Sequence, residues 1–417
     1  MFSQCWENLP PEILLNIFNN LPIKDVATSA QVCKTWKEAA TEKSLWRSLT
    51  LEFDGAKENK IARRCVGLVK KIAPQLEVLK VINTQVDIEG DVSRNLAVQR
   101  VESVLRAVMT FPLHVFELQG LNLYFMEHRF MRIFEQLMVQ FLQLQTHLEV
   151  FSMKNTMLDL KDLVKILQTL ANSAGENIRC LNLQNTFDEI FDGMSIHALN
   201  TVIPKFSKLK TLHMPYHGLT EDLFKNLGNV QGSKLKYLYI TVEYIQESIS
   251  DLAWKTLTEA CPGLVVSMTV ISDPRDKVIM YPHIPLVSLS TSQGGGQFSM
   301  TKLATLYQDK LETLDLHGCV EWEKNDTFVG HLETFQKLRN FSMTIFAVNK
   351  ITQKVKFLRN LCAMLKRHRT LKNVSLNFIC LKTVNPGLSR HVDSCTRDME
   401  PYMDRLFFKV NFVIKGV

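Results

Sequence analysis

Three groups of residues could carry chemistry: a histidine–cysteine pair near the C-terminus, a run of glycines, and nine scattered cysteines. His391 and Cys395 lie four residues apart, with Cys380 upstream, a set that could supply zinc ligands. A fourth ligand at the usual spacing is missing, and a loop with stray polar residues is the alternative. We therefore expect no bound metal and no other cofactor.

The glycine run occupies residues 294–296 within TSQGGGQFS. Such a run can cradle a phosphate, but the lysine and Ser/Thr of a P-loop do not follow it. Three nearby prolines, Pro274, Pro282 and Pro285, break any helix. The pattern predicts a flexible loop between repeated elements.

Motifs of hydrolases, zinc proteases and dinucleotide-binding enzymes are absent: G-x-S-x-G, H-E-x-x-H and G-x-G-x-x-G do not occur. A cysteine-based ligase would need a reactive thiolate in a dedicated domain, and no cysteine has a recognisable setting of that kind. The sequence therefore predicts a non-catalytic protein.

The composition is that of an ordinary globular protein of two or three domains, with 46% hydrophobic and 22% charged residues. The cysteine number is odd, no CxxC pair occurs, and the start MFSQCWENLP lacks a signal-peptide pattern. These features favour a reducing compartment, cytoplasmic, nuclear or both. No apolar stretch of about 18 residues occurs, so no membrane association is expected.

The net charge of +7 is unevenly distributed. Residues 1–53 hold five basic and six acidic residues, so the remainder carries all of the positive excess. A modest excess over that length favours acidic or phosphorylated partners over duplex nucleic acid, which usually needs a denser basic stripe. Solubility alone is the other explanation.

The first fifty or so residues have the pattern of a small helical module. Pro10 and Pro11 stand where a helix can begin, and residues 13–21 recur at the spacing of one helical face. Further short helices are predicted over residues 23–30 and 32–40. This much apolar surface exceeds what so small an interior can hide, so a partner or a neighbouring domain must cover one side.

This run resembles the F-box. LPPEILLNIFNNLP is similar to the opening of that motif, AQVCKTWKEAA to its centre and SLWRSLTL to its close. The resemblance implies an F-box over residues 3–53 that binds a Skp-type adaptor and, through it, a cullin and a RING subunit. The residues implied in that contact are Leu9, Pro10, Ile13, Leu14, Ile17, Leu21, Pro22, Val32, Cys33 and Trp36. For each apolar residue, an ordinary core position is the alternative.

Residues 54–417 repeat the pattern L-x-x-L-x-L at intervals of mostly roughly 26–37 residues, as one strand plus one helix per repeat requires. Clear or weaker copies begin at Leu76, Leu113, Leu148, Ile178, Leu209, Leu235, Val265, Ile284, Leu311, Leu338 and Leu371, and FKVNFVI resembles a closing strand. Each repeat cannot bury its own apolar side, so neighbours must stack.

The pattern is similar to the leucine-rich repeats that follow many F-boxes. It implies an α/β fold: a curved solenoid of roughly ten to twelve irregular repeats, with parallel strands inside and helices outside. The ninth repeat position, usually Asn or Cys, holds Thr84, Thr156 and Thr186 instead. That position normally satisfies backbone groups in the bend, so these threonines predict a departure from regular repeats.

The side chains between the leucines should face away from the core, because strand side chains alternate. Aromatic and polar mixtures suit protein recognition. We therefore predict that His213, Tyr237, Tyr239, Asp315 and His317 contribute to binding a protein substrate. Such residues also occur on repeat faces without a partner, which is the alternative.

A basic amphipathic helix is predicted within residues 350–372, with a solvated outer face or an acidic-partner site as its two interpretations. The favoured function is the substrate receptor of a cullin-type ubiquitin ligase. A non-degradative F-box scaffold and a plain interaction solenoid, for example one associated with RNA, remain as alternatives.

Overall fold

The computed structural model describes residues 9–21, 23–53, 59–84, 91–123, 128–187, 193–230, 234–243, 248–271, 279–292, 300–317, 325–346, 351–381, 386–402, 404 and 406–415. The chain forms two compact units, Met1–Leu209 and Lys210–Val417. The glycine run and residues 272–278 lie outside the described residues.

The first unit opens with three short helices, α1 (Pro11–Phe18), α2 (Ile23–Ser29) and α3 (Lys34–Ala40), and a 3-10 turn at Lys43–Trp46. Strands and helices then alternate: β1 (Ser48–Phe53), α4 (Asn59–Ile72), β2 (Val78–Asn83), α5 (Asp91–Val108), β3 (Val115–Gln119), α6 (His128–Gln143), β4 (Val150–Ser152), α7 (Leu160–Ala174), β5 (Cys180–Asn182) and α8 (Gly193–Val202).

The second unit continues the alternation, except that β9 follows β8 with no helix described between them. Its elements are β6 (Thr211–Pro215), α9 (Glu221–Asn229), β7 (Tyr237–Val242), α10 (Asp251–Ala260), β8 (Val265–Val270), β9 (Leu286–Thr291), α11 (Met300–Tyr307), β10 (Thr313–His317), α12 (Asn325–Thr334), β11 (Asn340–Phe346), α13 (Ile351–Arg367), β12 (Asn373–Leu381), α14 (Pro386–Met399) and β13 (Phe407–Lys415).

Within each unit, every strand pairs in parallel with the next strand along the chain. The register aligns the core residues into columns, such as Leu79 opposite Phe116 and Phe116 opposite Phe151. These columns are fully buried, and the rings of Phe116 and Phe141 lie 5.0 Å apart, so the helix covers the strand. The alternating residues remain partly exposed, as the period of a strand requires.

Helix starts follow the capping rules. Thr220 accepts a hydrogen bond from the backbone N–H of Leu223 at 3.0 Å, within the segment HGLTEDLFKNL. Ser250 caps α10 in the same way through Ala253. Such caps satisfy N–H groups that have no partner inside the helix.

The threonines of the ninth repeat position still satisfy the backbone. The hydroxyls of Thr156 and Thr186 donate to the carbonyl of Met153 at 2.8 and 2.9 Å, and Thr84 donates to Phe53 at 3.4 Å. The expected departure is therefore one of residue type, because a threonine hydroxyl performs the hydrogen bonding of the usual asparagine or cysteine. Asn155 lies next to this position with φ +56°, a left-handed conformation that asparagine tolerates.

The predicted fold class, a helical module followed by parallel strand-plus-helix repeats, is confirmed. Every predicted repeat from Leu76 onward coincides with a strand. The last predicted F-box residues form strand β1, which pairs with β2, so the two domains share this strand. The boundary at residue 53 and the number of repeats remain predictions.

No helix among the described residues is both long and apolar enough to span a bilayer. In the same part of the chain, no three His, Cys, Asp or Glu side chains are grouped as metal ligands.

Candidate functional site

The N-terminal helices build a small core of their own. Phe18 is buried, and its ring meets that of Trp36 edge-on at 5.6 Å. Trp46 donates from Nε1 to the carbonyl of Ala40 at 3.0 Å, which ties the 3-10 turn to α3. The buried members of this core are Leu14, Phe18, Val26, Ala39 and Ala40.

Several apolar side chains of this module remain exposed. Ile13 is 45% exposed, Ile17 is 36% exposed and Val32 is 56% exposed, and Pro10 is exposed as well. Ile13 and Ile17 are one helical turn apart, so α1 presents them together on one face. We call Pro10, Ile13, Ile17 and Val32 the exposed apolar set. Their side chains are apolar surface that the module does not bury and that a partner could cover.

The residues predicted to contact the adaptor differ in how deeply they are buried. Leu14 is fully buried, which places it in the core rather than on a contact surface. Leu9, Leu21 and Trp36 are partly buried and pack against that core. Pro22 lies outside the described residues. The adaptor contact of the exposed apolar set remains a prediction.

Cys33 has a structural role that the sequence analysis missed. Its Sγ accepts the backbone N–H of Trp36 at 3.5 Å and so caps α3. The signal was its position directly before a helix, where an acceptor side chain is useful.

The partly exposed side chains of β6 to β12 in the second unit form a polar sheet surface, here called the open face. It carries mainly hydroxyl and amide groups. Its central members are His213, Tyr239, Ser267, Thr269, Ser288, Ser290, Thr313, Asp315, His317, Asn340, Ser342, Asn373, Ser375 and Asn377.

At β6 and β7 the open face is aromatic. The rings of His213 and Tyr239 stack in parallel, with centroids 4.2 Å apart and planes 9° apart. Tyr237 and Tyr239 are 45% and 39% exposed, an unusual degree for such large rings. The structure therefore brings three of the five predicted substrate residues together.

Asp315 and His317 form a second group on β10. His317 Nε2 lies 3.0 Å from Asp315 Oδ2, and its Nδ1 lies 2.6 Å from Thr344 Oγ1. Ser290 Oγ donates to the same Asp315 oxygen at 3.5 Å. Because the serine contacts the aspartate and not the histidine, this is no nucleophile–base pair.

The two groups are separated by three strand spacings, about 14 Å across the sheet. They share one face of the sheet but are not adjacent, so a ligand that contacts both must span at least this distance. Ser290 was missed because the register shifts between Val266 and Ser267, which displaces β9 from the simple repeat spacing.

The cysteine nearest a sheet surface is not poised for chemistry. Burial, followed by the nearby Glu117 carboxylate, raises the pKa of Cys180 to about 11. A thiol of this kind stays protonated at neutral pH and is a poor nucleophile. Of the suggested zinc ligands, His391 instead contacts Arg359, with Nε2 3.2 Å from the guanidinium.

The predicted basic helix is α13. Its Arg367 forms a two-point ion pair with Glu333 of α12, at 2.9 and 3.3 Å. This pair lowers the pKa of Glu333 through hydrogen bonding. The exposed basic side chains Lys356, Arg359 and Arg367 agree with a solvated outer face.

Comparison with known proteins identifies the N-terminal module. The family model for F-box-like domains matches residues 6–52. F-box/LRR-repeat protein 8 of Mus musculus is 38% identical over 48 residues, and that of Bos taurus is 42% identical over 48 residues, in each case 12% of this chain and 13% of the relative. Protein ARABIDILLO 1 of Arabidopsis thaliana is 38% identical over 66 residues, 15% of this chain and 7% of that protein. The chain thus covers only a small part of these relatives.

Among solved structures, the leucine-rich repeat-containing protein LegL7 of Legionella pneumophila is similar to 71% of this chain and 94% of its own, with a TM-score of 0.39 and 13% identity. The domain match and the fold together show an F-box-like domain at the N-terminus, followed by parallel strand-plus-helix repeats. The resemblance to F-box leucine-rich-repeat proteins seen in the sequence is confirmed.

Proposed function

We propose that this protein is the substrate-recognition subunit of a cullin-type ubiquitin ligase. Its F-box binds a Skp-type adaptor, through which a cullin and a RING subunit are recruited, in the cytoplasm or nucleus. Its repeats hold a protein substrate. The protein itself is not the catalyst and contributes proximity, because holding a substrate lysine near a charged conjugating enzyme raises its effective concentration.

The observation that carries this proposal is the exposed apolar set on an F-box-like domain. Ile13 and Ile17 project from α1 while Leu14 and Phe18 of the same helix are buried. A module that buried all of its apolar surface would cover all four side chains, since each partly exposed isoleucine forgoes about 1 kcal/mol of burial. The arrangement favours a partner that covers the isoleucines.

The open face supports the substrate half of the proposal. The stacked His213–Tyr239 pair and the exposed Tyr237 provide rigid aromatic area, which is enriched at protein contacts. The surrounding hydroxyls and amides provide hydrogen bonds that suit a polypeptide partner.

The test is affinity capture of tagged full-length protein from cells, read by mass spectrometry, for three variants. We expect I13S/I17S to lose adaptor, cullin and RING subunit but to keep substrates. We expect Y237A/Y239A to lose substrates but keep the ligase subunits. A protein stabilised when this chain is depleted would separate a degradative receptor from a scaffold.

The matched control for the first variant is I133S/L144S together with folding measurements, because it places serines at two exposed apolar positions of the same unit outside the F-box-like domain. Capture of all ligase subunits by I13S/I17S would contradict the proposed adaptor contact. If every variant failed to capture any partner, the variants would be unfolded.

A further inference from the structure

A charged or polar residue stands directly before most strands, and adjacent repeats place these residues side by side. In the first unit the backbone N–H of Glu77 donates to the carbonyl of Arg47 at 2.8 Å, and that of His114 donates to Glu77 at 2.8 Å. In the second unit Arg339 donates to Glu312 and Lys372 to Arg339 in the same way. We call these the strand-entry positions.

Charges at the strand-entry positions are mostly paired with the neighbouring repeat. Arg47 Nε lies 3.7 Å from Glu77 Oε1, and Arg179 Nε lies 3.2 Å from Glu149 Oε2. On the second unit Arg339 lies 3.8 Å from Glu312. Alternating signs along this edge reduce repulsion between adjacent strands.

Lys210 and Lys236 break the rule. They are neighbours, because the backbone N–H of Lys236 donates to the carbonyl of Lys210 at 2.8 Å. Both are exposed, as is Lys234, and within the described residues no carboxylate pairs with any of the three. The next strand-entry residue, Leu264, is apolar and buried, so it offers no charge. We call Lys210, Lys234 and Lys236 the basic corner.

The basic corner borders the aromatic part of the open face. Tyr237 directly follows Lys236 and lies opposite Thr211 in the register, and Tyr239 follows on the same face with His213 stacked on it. Ammonium groups, tyrosine hydroxyls and exposed ring faces thus meet at one place. Ammonium and hydroxyl groups donate to oxyanions, while the rings accept apolar or aromatic side chains.

We propose that the basic corner and the adjoining rings bind an acidic segment of a protein substrate, through side-chain carboxylates or phosphate esters. The anionic groups pair with Lys210 and Lys236, and a neighbouring apolar side chain packs on Tyr237 and the His213–Tyr239 stack. This inference rests on the proposed function, since it names the chemistry of the substrate.

The remaining charge on the open face favours a peptide over a nucleic acid. From β8 to β12 this face carries hydroxyls and amides, and its only acidic residue among the described positions is Asp315. A phosphodiester backbone needs a continuous basic track and would be repelled by that carboxylate. A short acidic peptide needs only the local cluster.

The experiment exposes the full-length protein to a randomised synthetic peptide library containing aspartate, glutamate and phosphoserine among its residues. We expect the bound pool to be enriched in these anionic residues. A fluorescent peptide made from that pool should bind about tenfold more weakly to K210S/K236S and should weaken with added salt.

The matched control is K337S/K372S, which removes two exposed lysines near β11 and β12 and should change the affinity by no more than about twofold. Thermal unfolding verifies that both variants are folded. Enrichment of phosphoserine alone identifies the phosphate ester as the anion, and enrichment of aspartate or glutamate identifies the carboxylate.

A bound pool without anionic enrichment, or unchanged binding by K210S/K236S, would overturn this inference. So would a single-stranded oligouridine probe that binds at the same lysines in preference to the peptide. Adaptor binding is measured on the same samples. Anionic selection without adaptor binding would sink the ligase proposal alone, and adaptor binding without anionic selection would sink only this inference.

Discussion

At the scale of single residues, several buried polar groups fix the repeats, and Tyr307 is the clearest. Its ring is fully buried, and its hydroxyl donates to the carbonyl of Tyr281 at 2.9 Å. Burial raises the pKa of Tyr307, so the hydroxyl remains a donor throughout the physiological range. It links α11 to the segment before β9, whose described residues 279–285 contain no helix.

We predict that Tyr307→Phe lowers the free energy of unfolding by about 1 kcal/mol, because the Tyr281 carbonyl loses its donor while the ring still packs. Denaturant unfolding measures the change. Tyr237→Phe on the exposed surface is the control and should cost less than about 0.5 kcal/mol. Equal effects of the two substitutions would mean that the buried hydrogen bond does not stabilise the fold.

The Glu333–Arg367 pair gives a pH prediction. Hydrogen bonding to Arg367 lowers the pKa of Glu333 below its ordinary value of 4.5. A carboxylate with a lowered folded-state pKa contributes stability above its unfolded pKa and loses it as the pH falls through the folded value. The contribution is modest, because the pair is exposed.

Thermal unfolding of the protein and of Glu333→Gln should therefore differ most near neutral pH. The difference should shrink as the pH falls below 4.5. A gap that stays constant on acidification would show that the ionised carboxylate is not what stabilises the α12–α13 contact.

Residue roles were predictable where the repeat pattern fixes the position. The alternation of β7 indicated that Tyr237 and Tyr239 face outward, and both are exposed. The burial of Leu14 beside the exposed Ile13 was not predictable, because both fit one wide apolar face. The basic corner was also missed, although Lys-Leu-Lys occurs twice, at 208–210 and 234–236. Only the spatial neighbours show that no carboxylate in the described part of the chain pairs with Lys210, Lys234 or Lys236.

At the scale of elements, buried side chains join one repeat to the next. Gln145, just after α6, is fully buried. Its Oε1 accepts the backbone N–H of Leu113 at 2.9 Å, and its Nε2 donates to the carbonyls of Met109 and Phe111 at 3.2 Å each. One side chain thereby satisfies the backbone between α5 and β3.

Gln145→Ala should lower the free energy of unfolding by about 3 kcal/mol, because it leaves a buried N–H and two carbonyls without partners. Urea denaturation provides the measurement. Gln143→Ala, an exposed substitution two residues earlier, is the control and should change little. A mild effect of Q145A would imply that water replaces the side chain.

The two faces of α1 predict opposite outcomes for neighbouring substitutions. Leu14→Ala should lower the stability of the helical module by about 3 kcal/mol, since it leaves a cavity in the core. I13S/I17S should lower the stability by less than Leu14→Ala does, because both isoleucines are already partly exposed and their removal leaves no cavity in the core. Amide hydrogen exchange in α1 and α3 distinguishes these results. Strongly accelerated exchange in I13S/I17S would contradict the assignment of the two isoleucines to the exposed face of α1.

The repeat elements were predictable because leucine spacing repeats so often. β1 was not predicted, although Leu49, Leu51 and Phe53 alternate with exposed residues. These residues were assigned to the F-box because they match the end of that motif. A single sequence does not indicate that one segment belongs to two domains. The first strand therefore joins the F-box-like module to the repeats without a linker.

At the scale of the whole molecule, the exposed apolar set belongs to the first unit and the aromatic part of the open face to the second. Residues without shared contacts usually act independently. Y237A/Y239A should therefore change adaptor affinity by less than about twofold, and I13S/I17S should leave peptide binding equally unaffected. Calorimetric titration of each variant with each ligand tests this. A change in affinity of more than about twofold would contradict the independence of the two binding surfaces.

The composition and repeat pattern predicted a receptor architecture, but no substrate. Recognition depends on a few side chains brought together from different repeats, such as His213 and Tyr239, and pairwise spacing does not determine what they bind. The α/β fold class is predictable because the leucine pattern repeats many times. The proposed substrate site depends on a few residues that occur only once.

Direct titration of the purified full-length protein with a purified Skp-type adaptor tests the central claim most directly. We predict a stoichiometric complex for the unmodified protein and loss of that complex for I13S/I17S, with both proteins equally folded. A protein that remains alone at a large excess of adaptor, or an I13S/I17S variant that binds as tightly as the original, would contradict it.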